Sequence, residues 1–517
     1  MIQKFKNWFQ QLLGFKLGVL DALFLLALTI VFFTLPVFTA PDSIIYIQNA
    51  HVLGGQLPFS SWQSIRGPLL PALLRISFAL FGESATGTAV LLYIAYLCMV
   101  VGTLYLCHLV GFFSLLKRAG TWALCTILVF LNPVILTYSH FVLTEFFALV
   151  LCLLAFCLII KTQQLLLRPQ TKRAPVLAAR YIGTLVFIVG AFALKQMFFI
   201  FVLAPFLISE VYVLIGRISI KQIAASVLAA VMLSGSIFAW SAGWDSYIAG
   251  RAEMLAAYSA ASMSSSVLID GLRYFRPEER GTTGKEVRIN IVNNNEEIIG
   301  SFTYTFKGTF IDSLQFLFTC LSKNPGRFFT SYLHNYFVVS NVRKTQNYAI
   351  SRAYSPVTST NYFFQSFETQ AWLETFKEME KGKASYSQPL AANMQQFNIP
   401  ADNGLISNVL FNTHYPTFSY FLYSFPAFMA PFIFLLGIVM SIIRRKTKQK
   451  FAFWAQVTLL AGSIFGSILF LALTASSIDR YGFPSSIWSA LLLALLVIRG
   501  VTFSFKKLAP FLKKAAK

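Results

Sequence analysis

The chain has 517 residues, 56% of them hydrophobic and 16% aromatic, and a mean hydropathy of +0.64, far more apolar than a water-soluble domain. A net charge of +22 would suggest nucleic acid in a soluble protein, but these bases stand in short strips between long apolar runs, the pattern that orients a membrane protein. Composition therefore excludes a soluble enzyme and a nucleic-acid-binding domain, and predicts an α-helical polytopic membrane protein.

The first apolar run, 19–38, follows Lys4, Lys6 and Lys16. Leu35-Pro36-Val37-Phe38 offers no small-residue cleavage site, so the run reads as a retained first span. Further runs at 86–113, 121–138, 142–160, 181–194, 197–215, 222–240, 418–442, 452–474 and 484–500 predict about ten spans in all. The run at 181–194 is short and reads as a tilted or broken helix. Alternate connectors are basic and free of acids: Lys117-Arg118; Lys161, Arg168, Lys172, Arg173 and Arg180; Arg217 and Lys221; Arg444, Arg445, Lys446, Lys448 and Lys450; and a tail with Lys506, Lys507, Lys513, Lys514 and Lys517. That asymmetry predicts cytoplasmic N- and C-termini in a plasma (bacterial inner) membrane. The outer face then receives the loop 39–85, the turn 139–141, the Leu194-Lys195-Gln196 break, the segment 241–417 and the loop 475–483.

Three parts follow: a transmembrane module 1–240 that includes the 39–85 loop, an extracytoplasmic domain 241–417, and C-terminal transmembrane helices with a basic tail, 418–517. The middle part is expected to be mixed α/β. Val287 to Val292 alternates like a strand, Ile311 to Leu321 reads as a helix, and Asn324-Pro325-Gly326 separates it from a second amphipathic run, Arg327 to Val339. Cys98, Cys107, Cys125, Cys152 and Cys157 lie in apolar runs and Cys320 stands alone in the polar segment, with no CxxC, so neither disulfides nor a cysteine metal site is expected.

All but six of the 20 acids fall in 241–417; the others are Asp21, Asp42, Glu83, Glu145, Glu210 and Asp479. Asp42 and Glu145 fall at the same edge of the membrane, where acids are costly to hold and point to function. The first outer loop reads Ala40-Pro41-Asp42-Ser43-Ile44-Ile45-Tyr46, then Ala50-His51-Val52-Leu53-Gly54-Gly55, Arg66-Gly67-Pro68-Leu69-Leu70-Pro71 and Leu80-Phe81-Gly82. This ordered series resembles the GT-C superfamily of polyprenyl-phosphate-dependent glycosyltransferases, in its protein O-mannosyltransferase and aminoarabinose-transferase-like branch. Phe141-Val142-Leu143-Thr144-Glu145 is similar to the family's Thr-Glu opening of a span, Ala193-Leu194-Lys195-Gln196 to its lysine-bearing outer turn, and Arg480-Tyr481-Gly482-Phe483-Pro484 to its Arg-Tyr-x-x-Pro entrance to a late span. The matches cover much of 20–240 and the last 50 residues, and little of the outer domain. The resemblance implies a GT-C-like fold and a single displacement, with inversion, that moves a sugar from a polyprenyl-phosphate donor to an envelope glycan, a lipid or a protein.

Such a transfer needs a base for the incoming hydroxyl and a cationic clamp for the departing phosphate. Asp42 is the candidate base, and Lys195, Arg480 and Arg66 are candidates for the donor phosphate. Glu145 would orient the acceptor, bind a divalent ion or steer Lys195, while Tyr46 and Tyr481 are candidate substrate contacts. His140 and His51 could complete a divalent metal site with the carboxylates, although no ligand spacing demands one. Plainer roles stand beside these: Asp42 as a helix N-cap, Glu145 as complement to a helix dipole, Lys195 snorkelling to headgroups and Arg480 paired with Asp479. The rival functions are a transporter or flippase of lipid-linked sugars, which would carry polar residues through the bilayer midplane, and a noncatalytic envelope-binding membrane protein.

Overall fold

The computed structural model describes residues 18–35, 41–59, 62, 67–83, 85–166, 173–216, 228, 231–232, 235, 272, 274–278, 286–305, 310–340, 415–443, 448–474 and 483–515. Through these the chain runs α1 (Val19–Phe33), α2 (Pro41–Leu53), α3 (Leu69–Phe81), α4 (Ala85–Leu109), α5 (Phe112–Cys125), α6 (Pro133–His140), α7 (Thr144–Leu166), α8 (Arg173–Leu194) and α9 (Ile200–Gly216). Three strands, β1 (Phe275–Pro277), β2 (Glu286–Val292) and β3 (Ile298–Thr305), and two helices, α10 (Phe310–Lys323) and α11 (Pro325–Val339), precede the last three helices, α12 (Tyr415–Ile443), α13 (Lys448–Thr474) and α14 (Ser486–Ala515).

Among the described residues, seven helices are long and apolar enough to cross a bilayer: α4, α5 with its continuation to Phe130, α7, α8, α12, α13 and α14. The protein is thus a helical, multi-pass membrane protein. The expected first span, α1, and the run at 197–215, α9, are described as helices of 15 and 17 residues, and most of 222–240 lies outside the described residues.

Polar side chains explain several boundaries. The α5 helix passes into a π-helical segment, Thr126–Phe130, and stops at Leu131; Asn132 then caps α6, accepting from Val134 N at 3.0 Å, with Pro133 in the first helical position. The run at 121–138 is therefore two helices, not one. At the other end of α5 the chain bends at Gly111 (φ 86°) and again at Lys117 (φ 58°), in the basic Lys117-Arg118 strip. Arg118 Nε donates to Asp21 Oδ1 at 2.7 Å and Trp122 Nε1 to the same atom at 2.6 Å, so the buried acid of α1 is matched by α5.

The run at 181–194 is neither short nor broken, since α8 begins at Arg173 and supplies 22 residues. Arg180, read from sequence as a connector base, lies inside this helix with its side chain fully buried. Its Nε donates to Glu210 Oε1 at 2.6 Å, Nη1 to Thr162 Oγ1 at 2.8 Å and the Ile159 carbonyl at 2.9 Å, and Nη2 to Ser209 Oγ at 2.8 Å, while its guanidinium carbon lies 5.3 Å from the Phe206 ring centroid. One side chain thus fastens α7, α8 and α9 together, and satisfied donors make a buried charge tolerable. Across α4 and α5, Cys107 Sγ and Cys125 Sγ stand 3.4 Å apart as free thiols.

The strand and helices expected in 241–417 form. The sheet is antiparallel in the order β1-β2-β3, with Ile289 opposite Phe302. Val287, Ile289 and Ile291 point to one face and pack with Phe302, Phe316, Leu317, Cys320 and Phe328, so Cys320 belongs to a small core. Asn324 Oδ1 accepts from Arg327 N at 3.1 Å and starts α11. The far half of α11 leaves this core for the transmembrane one. Tyr332 Oη donates to the Leu469 carbonyl at 3.4 Å, Asn335 Nδ2 to that of Ala472 at 3.2 Å and Tyr336 Oη to that of Ala427 at 3.1 Å. The second amphipathic run is thus a strut between the sheet layer and α12–α13.

Candidate functional site

At one end of the bundle, α2 lies beneath the turn that joins α6 to α7. Pro41 opens α2, and Asp42 is its second residue, one turn before Tyr46. Ser43 Oγ donates to the Val142 carbonyl at 2.8 Å, and Tyr46 Oη meets Thr144 Oγ1 at 3.2 Å. These bonds fix the N-terminal half of α2 against the Phe141–Thr144 turn.

Thr144 and Glu145 begin α7, where a carboxylate complements the positive end of the helix dipole. Glu145 is 1% exposed; its Oε2 accepts from Thr144 Oγ1 at 3.4 Å and its Oε1 faces Lys195 Nζ at 3.4 Å. Lys195 stands where α8 stops: its backbone turns extended (φ −160°, ψ 126°), it caps the 3₁₀ turn Gln196–Phe199, and its ammonium lies 5.7 Å from the Phe198 ring centroid. Each charge offsets the desolvation of the other. The first loop reaches the same turn, because a Cβ at Gly67 would overlap the carbonyls of Ala193 and Leu194. Glycine is the residue that admits this approach. Phe483, just before α14, stacks on Tyr138 of α6 at 4.0 Å.

Three of the sequence-derived motifs are therefore bonded or packed together: α2 with Asp42, Thr144-Glu145, and Lys195. Arg66, Arg480 and Tyr481 lie outside the described residues, as does the side chain of Asp42. Tyr46, a candidate substrate contact, is turned inward in the structure. It is 1% exposed with its hydroxyl on Thr144, so it positions α2.

Both candidate metal histidines have hydrogen-bond partners in the structure. His140 is buried, with Nδ1 2.7 Å from the Leu136 carbonyl and Nε2 2.9 Å from that of Phe32, which links α1 to α6. His51 stands nine residues beyond Asp42, about 14 Å along α2. Its Nε2 meets Glu83 Oε1 at 2.8 Å and its Nδ1 meets Gln56 Oε1. Among the described residues, no three His, Cys, Asp or Glu side chains gather as a ligand set.

Sequence reading missed the Gly67 contact and the Glu83 partner; the only local hint of the first was Gly-Pro just before a helix.

The His51 cluster titrates in a defined direction. Burial and Arg75 oppose its protonation, but the hydrogen bonds it donates to Glu83 Oε1 and Gln56 Oε1 and the charge of Glu83 outweigh them, so its pKa lies above the ordinary 6.5. A raised folded value means that the stabilisation is complete below pH 6.5 and is lost as pH rises through the folded pKa. The thermal midpoint of the wild-type chain should exceed that of His51→Gln most at mildly acid pH, and the gap should close as the buffer becomes alkaline. A gap that widens with pH would show that neutral, not protonated, His51 holds Glu83.

The chain matches no family model, no curated protein and no solved structure.

Proposed function

We propose that this chain is an inverting glycosyltransferase of GT-C type, moving a sugar from a polyprenyl-phosphate donor to an extracytoplasmic glycan, lipid or protein. The observation that carries the reading is the junction of α2, the Thr144-Glu145 start of α7 and the Lys195 turn at one end of a membrane bundle. In this mechanism Asp42 takes the proton of the acceptor hydroxyl, the hydroxyl oxygen bonds to the anomeric carbon, and the bond from that carbon to the phosphate oxygen breaks. The lipid phosphate leaves as an anion, met by Lys195 with Arg480 and Arg66. The pairing of Glu145 with Lys195 supports a steering role for this carboxylate. The fold that goes with the proposal has about ten spans, with α1, α9 and 222–240 added to the seven long helices, both termini cytoplasmic and 241–417 outside.

Purified protein in vesicles, given radiolabelled polyprenyl-phosphate sugar and envelope acceptor fractions, should move label onto an acceptor and release polyprenyl phosphate. Label that crosses the bilayer still attached to its lipid would replace the proposal with the transporter reading. Label that does neither would remove both.

A further inference from the structure

Helix α3 has 13 residues, about 20 Å, too short to cross a hydrocarbon core of about 30 Å. Leu70, Leu74, Ser77 and Phe78 are buried, and the helix packs against α2, α4 and α8. The other side is also apolar. On this face Leu69 and Leu73 are partly buried against the core, and Ile76 and Leu80, which follow at three- and four-residue spacing, are 56% and 69% exposed. A helix facing water would carry polar residues there. The only charge on α3 is Arg75, which lies beside Gly54 and His51 and leaves the stripe uncharged.

We propose that α3 lies in the membrane leaflet at the site's end of the bundle, with this stripe seated against phospholipid acyl chains. Continuity with the spans supports that occupant, since α3 packs on the start of α4 and on α8, both long enough to cross the bilayer. A second short helix repeats the arrangement. Tyr332 and Asn335 tie α11 to carbonyls near the end of α13, while Phe329 and Leu333, one turn apart, are 55% and 54% exposed. Phe470, in that part of α13, touches Phe199 just past Lys195, at 5.5 Å between rings, so both short helices stand at the same end. The proposal rests on membrane insertion alone and is independent of sugar transfer. Gly67, just before α3, lies against the Lys195 turn, which joins the helix to the candidate site.

The test uses the full chain with Cys98→Ser, which removes the exposed cysteine and keeps the five buried ones. Nitroxide labels on Ile76→Cys and Leu80→Cys, both exposed positions outside the core, are compared with one on Asn294→Cys in the β2–β3 turn. In vesicles of phosphatidylethanolamine and phosphatidylglycerol, oxygen should broaden the signals at 76 and 80 more than a water-soluble nickel chelate does, with the ratio inverted at 294. Chelate broadening that prevails at 76 and 80 would put the stripe in water and overturn the proposal. Spin–spin broadening between labels at 76 or 80, lost on dilution with unlabelled protein, would assign the stripe to a second copy and overturn it equally.

Discussion

Arg180→Met should lower the stability of the folded chain by about 3–5 kcal/mol, the range expected when one partner of a buried ion pair is removed. The loss exceeds that of the guanidinium's own bonds, because Glu210 would keep a carboxylate with an 8% exposed side chain and lose the Nε donor at 2.6 Å. Thr162, Ser209 and the Ile159 carbonyl would each lose their bond from the guanidinium as well. Unfolding in detergent followed by tryptophan fluorescence measures the effect, and the double variant Arg180→Met, Glu210→Met should recover most of it, since two apolar side chains leave no stranded charge. A single-variant loss under about 1 kcal/mol is what a solvent-exposed pair would give, and would mean that α8 does not bury Arg180.

Arg180 also shows where the sequence can and cannot be read. Charge asymmetry places an arginine near the end of an apolar run at the cytoplasmic edge, and nothing local signals that Glu210, 30 residues on, comes back to meet it. The start of α8 is hidden for the same reason, because the apolar run ends at its first base. The uncharged stretch of α13, Phe453 to Ala472, is legible from apolar length alone. The period-two pattern of β2 is legible too, since one face of Val287, Ile289 and Ile291 must be covered. The reach of α11 is not, because an amphipathic stripe says that a face is buried and not against what. At the site, the membrane edge singles out Glu145 and Lys195, and the 3.4 Å pair is the physical content of that coincidence. The role of Tyr46 is not legible, because a tyrosine beside an acid reads alike whether its hydroxyl meets a substrate or Thr144.

Asp42→Asn should abolish acceptor transfer, by a factor of about 10²–10⁴ where the base alone is lost, and leave insertion and thermal stability nearly unchanged. The substitution is chosen because the amide keeps the shape of the carboxyl at the second residue of α2. It removes the carboxylate's charge together with its ability to take a proton, and the lost dipole complement at the start of α2 costs about 0.3–1 kcal/mol at most. The bonds that fix α2, from Ser43 to Val142 and from Tyr46 to Thr144, do not pass through residue 42, so the Lys195 turn keeps its place in the variant. Lost transfer with unaltered binding of polyprenyl phosphate would separate the proton step from the phosphate clamp. Full transfer by Asp42→Asn would leave Asp42 the plain role of a first-turn acid at the start of α2 and require the hydroxyl proton to leave by another group.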